Sequence, residues 1–355
     1  MKRSLVILIP LCCLLLTAGW TLAAGSGDPL ASLSYLEGDF TRRVESAVEA
    51  RLDAVSGAVP VPAPAEAVTW TEKQLKASDI LTITTGGSVL PLAGSVHAAC
   101  PAGMLIDVTS GTEVPGGAAL TVNHRYMAAE DTTAMLVVTS KTAVMDYQGA
   151  AAFSYSDAVD YIAMASALKT LHLFRGSSTG YGQGFDLEMA PTRVQALIMF
   201  IRVLGEEEEA LSWTGTTPFT DVAAGSLGEK YIGYAYEKGY TNGVTADTFR
   251  PSSPVSAGQY AEFLLRATGY STAGSSSPSD ALDRAQTAGL LNAGEAAMLQ
   301  TGQFLRADLV YLSCCALEVS LAAGGETTLA QRLLRQGVFT AEEWASARTA
   351  LEERI

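Results

Sequence analysis

The sequence predicts a multidomain α+β chain: a small all-β domain followed by an all-α region of repeated helix-loop-helix units. Three observations predict it. The chain has 355 residues of which 48% are apolar, enough for two or three packed domains and too apolar for global disorder. Short runs rich in Ile, Val, Thr and Leu recur at roughly ten-residue spacing between residues 68 and 150, the pattern of a small antiparallel β domain. From about residue 153 to 320 the sequence repeats itself, which marks units that bury their apolar faces against one another.

The charge balance narrows the function classes. There are 23 Lys and Arg against 37 Asp and Glu, a formal charge of −14, and only three histidines. An acidic chain does not suit generic nucleic-acid binding, which needs a basic surface, so no nucleic-acid partner is expected. Three histidines leave little material for a His-rich metal site, and no metal or other cofactor is expected.

Residues 1–24 read as a signal peptide. Lys2 and Arg3 precede an uncharged run from Leu5 to Leu16, and small residues follow at Ala18, Gly19, Ala23 and Ala24. Twelve helical residues span about 18 Å, short of the roughly 30 Å of a bilayer core. Cleavage and export are therefore expected, without a lasting membrane attachment. Cys12 and Cys13 follow Ile9-Pro10-Leu11 and lack the small residue a lipid-modified cysteine wants before it. The remaining Cys100, Cys314 and Cys315 are odd in number, which makes a disulfide framework improbable.

Residues 29–54 read as a helical segment, with Leu36, Phe40, Val44, Val48 and Leu52 at helical spacing. Residues 55–67 hold Pro60, Pro62 and Pro64, the composition of an extended linker. Residues 68–150 form the β domain, with strand runs at Ile80–Thr84, Ser88–Leu92, Met104–Val108, Ala119–Val122, Ala134–Thr139 and Thr142–Met145. His97 and His124 lack metal-ligand spacing and read as ordinary strand or turn histidines. The helical units cover residues 153–212, 213–275 and 276–325, and residues 326–355 form a tail of two helices. Gly337 stops the first tail helix, and Thr340 to Glu343 opens the second.

Each unit reads helix, Gly-rich loop, helix. Thr192, Ser256 and Leu305 are equivalent, at spacings of 64 and 49 residues. Tyr260, Phe263, Leu264 and Ala267 share one helical face, as do Ala196, Met199, Phe200 and Val203. Leu309, Leu312 and Ala316 follow suit, with Ser313 the odd member. Ile232, Ala235 and Tyr236 give the apolar stripe of the second unit's first helix.

The motifs Phe219-Thr-Asp-Val222, Gly180-Tyr181-Gly182, Phe249-Arg-Pro251 and Thr192-Arg-Val-Gln195 resemble those of the S-layer homology domain. The resemblance spans about 165 residues, is clear in the first two units and is weak in the third. It implies a pseudo-threefold bundle of three units. It also implies non-covalent anchoring of an exported protein to secondary cell-wall polysaccharide, an anionic and commonly pyruvylated polymer, hence a location in the cell wall or at the cell surface. On the resemblance, the polymer-binding residues are Arg193, Arg306, Thr192, Gln195, Gly180, Tyr181, Gly182, Ser256, Gln259 and Asp308.

Much of the motif also has a structural explanation. Thr192-x-x-Gln195 and Ser256-x-x-Gln259 are capping boxes, and losing the hydroxyl costs about 1 kcal/mol. The arginines are different. A cation in the first turn of a helix opposes the macrodipole, so Arg193 and Arg306 suggest an anionic partner, each hydrogen bond contributing roughly 1.5–3 kcal/mol. Ala257 stands where the middle unit would carry its arginine, and Leu305 stands where the third would carry its cap, with Asp308 keeping the acid. At most two junctions therefore carry the motif arginine, and Arg250 is a substitute cation by position.

Nucleophile elbows, His-Glu-x-x-His, Cys-x-x-Cys and Walker loops are missing from the sequence, which favours a non-catalytic protein. Glu206 to Glu209 read as a solvated acidic run. The alternative to a wall anchor is a structural or protein-interaction scaffold whose altered repeats no longer bind polymer, with the β domain doing the recognition.

Overall fold

The computed structural model describes residues 41–56, 69–177, 179–271, 277–323, 325–351 and 354. The proposed signal peptide and residues 57–67 of the proposed linker lie outside the described residues, while residues 55–56, expected in the linker, are helical. The chain divides into two units, residues 1–67 and 68–355. The first is described by helix α1, Thr41–Ser56, which falls on the segment expected to be helical.

The second unit opens with ten antiparallel strands in two sheets. They are β1 Thr71–Lys76, β2 Ile80–Thr84, β3 Ser88–Ala93, β4 Val96–Ala102, β5 Leu105–Asp107, β6 Thr112–Val114, β7 Tyr126–Ala128, β8 Thr133–Val138, β9 Thr142–Gln148 and β10 Ala151–Ser154. One sheet runs β1-β9-β3-β7-β5-β6 and the other β10-β2-β8-β4. Alternation sets the faces: Leu81 and Ile83 of β2, Ala134, Leu136 and Val138 of β8, and Ala143 and Met145 of β9 all point into one core. The run at Ala119–Val122 is not a strand; Ala119 makes a single bridge to His97. The β domain also extends to Ser154, because Phe153 pairs with Leu81 across β10 and β2. The first helical unit therefore begins after the 153 boundary read from the sequence.

The helices follow as α2 Tyr161–Thr170, α3 Arg193–Val203, α4 Glu207–Ser212, α5 Leu227–Glu237, α6 Ala257–Ala267, α7 Ala281–Thr287, α8 Ala293–Gln300, α9 Arg306–Glu318, α10 Leu329–Gln336 and α11 Ala341–Leu351. The three second helices, α3, α6 and α9, supply the centre of one shared core, in which Phe200, Tyr260 and Tyr311 are fully buried. Ser313 is buried with them and is satisfied twice, by the Tyr260 hydroxyl at 2.7 Å and by donating to Leu309 O at 2.7 Å. In α5 the inward residues are Tyr231, Ile232, Tyr234 and Ala235. Tyr236, expected on that stripe, points outward at 44% exposure, edge-on to Phe219.

The third unit departs from the expected helix-loop-helix. Its loop position holds α8, capped by Asn292 and Glu295. Glu295 is fully buried and accepts from Tyr311 at 2.8 Å and from Arg354 at 2.6 Å. The tail helices pack on the same core through Leu329, Leu333, Phe339, Ala347 and Leu351. Gly337 closes α10 in the left-handed conformation (φ 75°), where a glycine carries no Cβ penalty.

Candidate functional site at the junctions between repeats

The starts of the second helices are held as the sequence requires. The Thr192 hydroxyl accepts from Gln195 N at 3.4 Å, and Gln195 Oε1 accepts from Thr192 N at 2.9 Å. Ser256 and Gln259 make the same pair at 3.2 Å in both directions. At α9 the cap hydroxyl is replaced by Leu305, and only the return bond remains, from Leu305 N to Asp308 Oδ2 at 2.9 Å.

Two of the motif helices, α3 and α9, dock by their first amides on a neighbouring unit's loop. Arg193 N donates to Ser253 O at 2.8 Å and Val194 N to Pro251 O at 3.0 Å. Arg306 N donates to Met189 O at 2.8 Å and Ala307 N to Leu187 O at 3.0 Å. Both acceptor pairs are offset by 64 residues, the spacing between the first two motifs. Two junctions thus share one pseudo-symmetric geometry. At the third junction the chain itself fills the space: a Cβ on Gly258 would lie 2.2 Å from Pro278 O. The small pair Ala257-Gly258 is what lets that segment approach α6.

The two motif arginines have different surroundings. Arg193 is 6% exposed, with its guanidinium 4.8 Å from the Phe249 ring and 5.3 Å from that of Phe263. Its Nε is buried and has no hydrogen-bond partner among the described residues. Burial, with the like charge of Arg266 adding to it, brings its pKa down to about 10. The expectation of a guanidinium presented outward therefore does not match Arg193, because the two aromatic rings and the repeat 2 loop enclose it.

Arg306 lines a groove. Its Nε donates to Phe185 O at 2.9 Å and its guanidinium lies 5.6 Å from the Phe174 ring. A cavity of about 170 Å³ beside it is walled by Phe174, Arg175, Ser177, Gln195, Met199, Arg202 and Arg306. Three arginine side chains thus line one space. Burial lowers the pKa of Arg306; Asp186 opposes that effect, and the like charge of Arg202 adds to it. Arg202 and Arg175 are held by Glu207, at 2.8 and 3.1 Å. Burial alone would raise the Glu207 carboxyl. The Tyr231 hydroxyl at 2.7 Å and the two arginines outweigh it and hold the carboxyl below its usual range.

The acidic run is therefore only partly the solvated face expected of it. Glu206 accepts from Tyr234 at 3.0 Å and from Tyr240 at 3.1 and 3.0 Å, and Glu207 organises the groove. A charge run shows composition but not which members turn inward.

The Gly180-Tyr181-Gly182 loop is not among the groove residues. Gly180 and Gly182 take positive φ (88° and 59°), and Gly182 N donates to Glu72 Oε1 of β1 at 3.0 Å. Asp308 is 1% exposed and its other carboxylate oxygen pairs with Lys141, from the turn before β9. Of the expected site residues, the groove brings together Gln195 and Arg306. Thr192 and Asp308 support the helix starts beside it, and Ser256 and Gln259 stand at the filled junction. Sequence reasoning missed Arg175 and Arg202, which lie outside the motif: Arg202 sits in the last turn of α3, and Arg175 in the irregular segment after α2.

A second cavity of about 380 Å³ opens between α9, α10 and α11, against Glu318, Gln331, Leu334 and Trp344. In the β domain, His124 Nδ1 lies 2.7 Å from Asp107 Oδ2, and Asp107 Oδ1 accepts from the amides of Thr109 and Ser110. Burial would raise this carboxyl, but those bonds outweigh it and lower its pKa to about 2. Among the described residues no group of three or more His, Cys, Asp or Glu side chains is placed to hold a metal ion, and no helix is long and apolar enough to cross a membrane.

Residues 218–261 match the S-layer homology domain, so the protein carries an S-layer homology domain, centred on the second unit. The chain is also similar to a "Cell surface protein" of Thermoanaerobacter kivui. The two are 28% identical over 208 residues, which cover 58% of this chain and 27% of the relative. The match thus spans about a quarter of the relative's length.

Proposed function

We propose that this is an exported, non-catalytic cell-surface protein held non-covalently to the wall by an anionic secondary polysaccharide. The observation that carries this reading is the groove where Arg175, Arg202 and Arg306 converge. A single ring-sized acidic sugar substituent, such as a carboxylated ketal, suits a cavity of that size. Arg306 offers its remaining donors, and Arg202 and Arg175, both held by Glu207, add positive charge to the lining. Charge-assisted bonds to guanidinium are the strong ones. The S-layer homology domain and the named cell-surface relative support the same assignment.

The test is sedimentation of the full chain with purified bacterial sacculi, before and after chemical removal of their secondary polymer. Binding should vanish with the polymer and fall at least tenfold in Arg306→Ala, the scale of one lost charged hydrogen bond of roughly 1.5–3 kcal/mol. A second reading is a scaffold with the β domain as the recognition element. It draws on the enclosed Arg193 and on the junction filled at Pro278. Binding indifferent to both polymer removal and Arg306→Ala would favour it.

A further inference from the structure

The loop over residues 182–189, on which the start of α9 docks, is gripped from two sides. On one side α9 takes Phe185 O through Arg306 Nε, and Leu187 O and Met189 O through its first amides. On the other side Glu72 of β1 takes Gly182 N at 3.0 Å, and a Cβ on Gly182 would lie 3.1 Å from Val144 of β9. The second connection from the β domain reaches α9 directly: Lys141 pairs with Asp308, two residues beyond Arg306. Asp308 is almost wholly buried, while its partner Lys141 is 26% exposed. A buried carboxylate without its cation is an uncompensated charge. Without Lys141, Asp308 would keep only the Leu305 amide and the helix N-terminus to hold its charge, at the start of the helix that presents Arg306.

We infer that the β domain is a working part of the polymer site, with Lys141 as the positioning residue that neutralises Asp308 and fixes the start of α9. This rests on the wall-attachment reading above. The β domain then does more than hang from an anchor: the turn before β9 holds the start of the helix whose first residue, Arg306, lines the groove. Lys141 touches no polymer and acts through Asp308 and the backbone that carries Arg306.

The experiment uses the full chain on polymer-bearing sacculi, with melting temperature followed in parallel. Lys141→Ala and Lys141→Gln should both weaken binding about fivefold or more, since each leaves a buried charge unpaired. Lys141→Arg, which restores the cation, should bind as the wild type does. Lys73→Ala removes a cation elsewhere in the β domain, one that lies over Phe153 and Tyr155, and should leave binding unchanged. Wild-type binding with Lys141→Gln and Lys141→Ala equally tight would overturn the inference. So would a loss in Lys73→Ala as large as theirs, because net charge would then explain it. Failure of the wild type itself to bind would overturn the wall-attachment reading, and this inference with it.

Discussion

Arg193 and Arg306 occupy equivalent motif positions, yet their environments separate their roles. Arg193 has two aromatic faces and no acceptor for its Nε. A cation–π stack contributes about 0.5–2 kcal/mol, while burying an unpaired charge costs several kcal/mol before relaxation. The balance predicts that Arg193→Met, which keeps the bulk and loses the charge, leaves stability to urea unchanged or raises it by up to about 2 kcal/mol at pH 7. A loss of that size would show that the stacks dominate. Asp107 gives a prediction of the opposite kind. Its folded pKa, about 2, lies below the unfolded 3.8. Its contribution is therefore present above pH 4 and is lost as pH falls through about 2. The contribution is at most about 2 kcal/mol. Urea titrations from pH 5 to 2 should show Asp107→Asn losing less stability on acidification than the wild type by that amount.

Two glycines at the second position of their helices separate packing from propensity at the level of the element. Gly228 of α5 has its nearest neighbour at 3.6 Å from a built Cβ, whereas Gly258 of α6 would meet Pro278 O at 2.2 Å. Alanine is favoured over glycine in a helix by about 1 kcal/mol, and overpacking costs roughly 1–3 kcal/mol. Gly228→Ala should therefore raise the melting temperature, while Gly258→Ala should lower it; a rise in both would mean that residues 277–280 do not press on α6. This junction also shows what the sequence could and could not reveal. Ala257 at the arginine position announced a junction that differs, but only the fold shows that the chain itself fills it. The capping boxes at Thr192 and Ser256 and the helix stop at Gly337 were legible because they depend on residues within a few positions. The strands β2, β8 and β9 were legible from their apolar runs. β1, Thr-Glu-Lys-Gln-Leu-Lys, was not, because as an edge strand it buries little beyond Leu75. α8 was hidden because a short, alanine-rich segment after a glycine satisfies loop and helix patterns alike. Arg202 escaped notice because it sits near the end of α3, seven residues past the end of its motif, and reaches the groove only through tertiary packing.

For the whole molecule, the net charge and the site have opposite signs. The chain carries −14 formally, while the groove gathers Arg175, Arg202 and Arg306. An anionic polymer approaching from a distance meets the negative field first and the guanidinium groups only at contact. Salt separates these effects because the Debye length falls from about 30 Å at 0.01 M to about 8 Å at 0.15 M. Over that range the long-range repulsion is screened before the close, partly buried ion pairs are. The association rate on immobilised secondary polymer should therefore rise, while the dissociation rate also rises as contact pairs weaken. A protein that recognised the same polymer with a broad basic surface would show association slowing steeply with salt. Biosensor kinetics at five salt concentrations would distinguish the two, and a falling association rate would count against a focused groove on an acidic molecule. Arg306→Ala sharpens the test: it should raise the dissociation rate and leave the salt trend of association in place, because that trend belongs to the whole charge distribution and not to one contact.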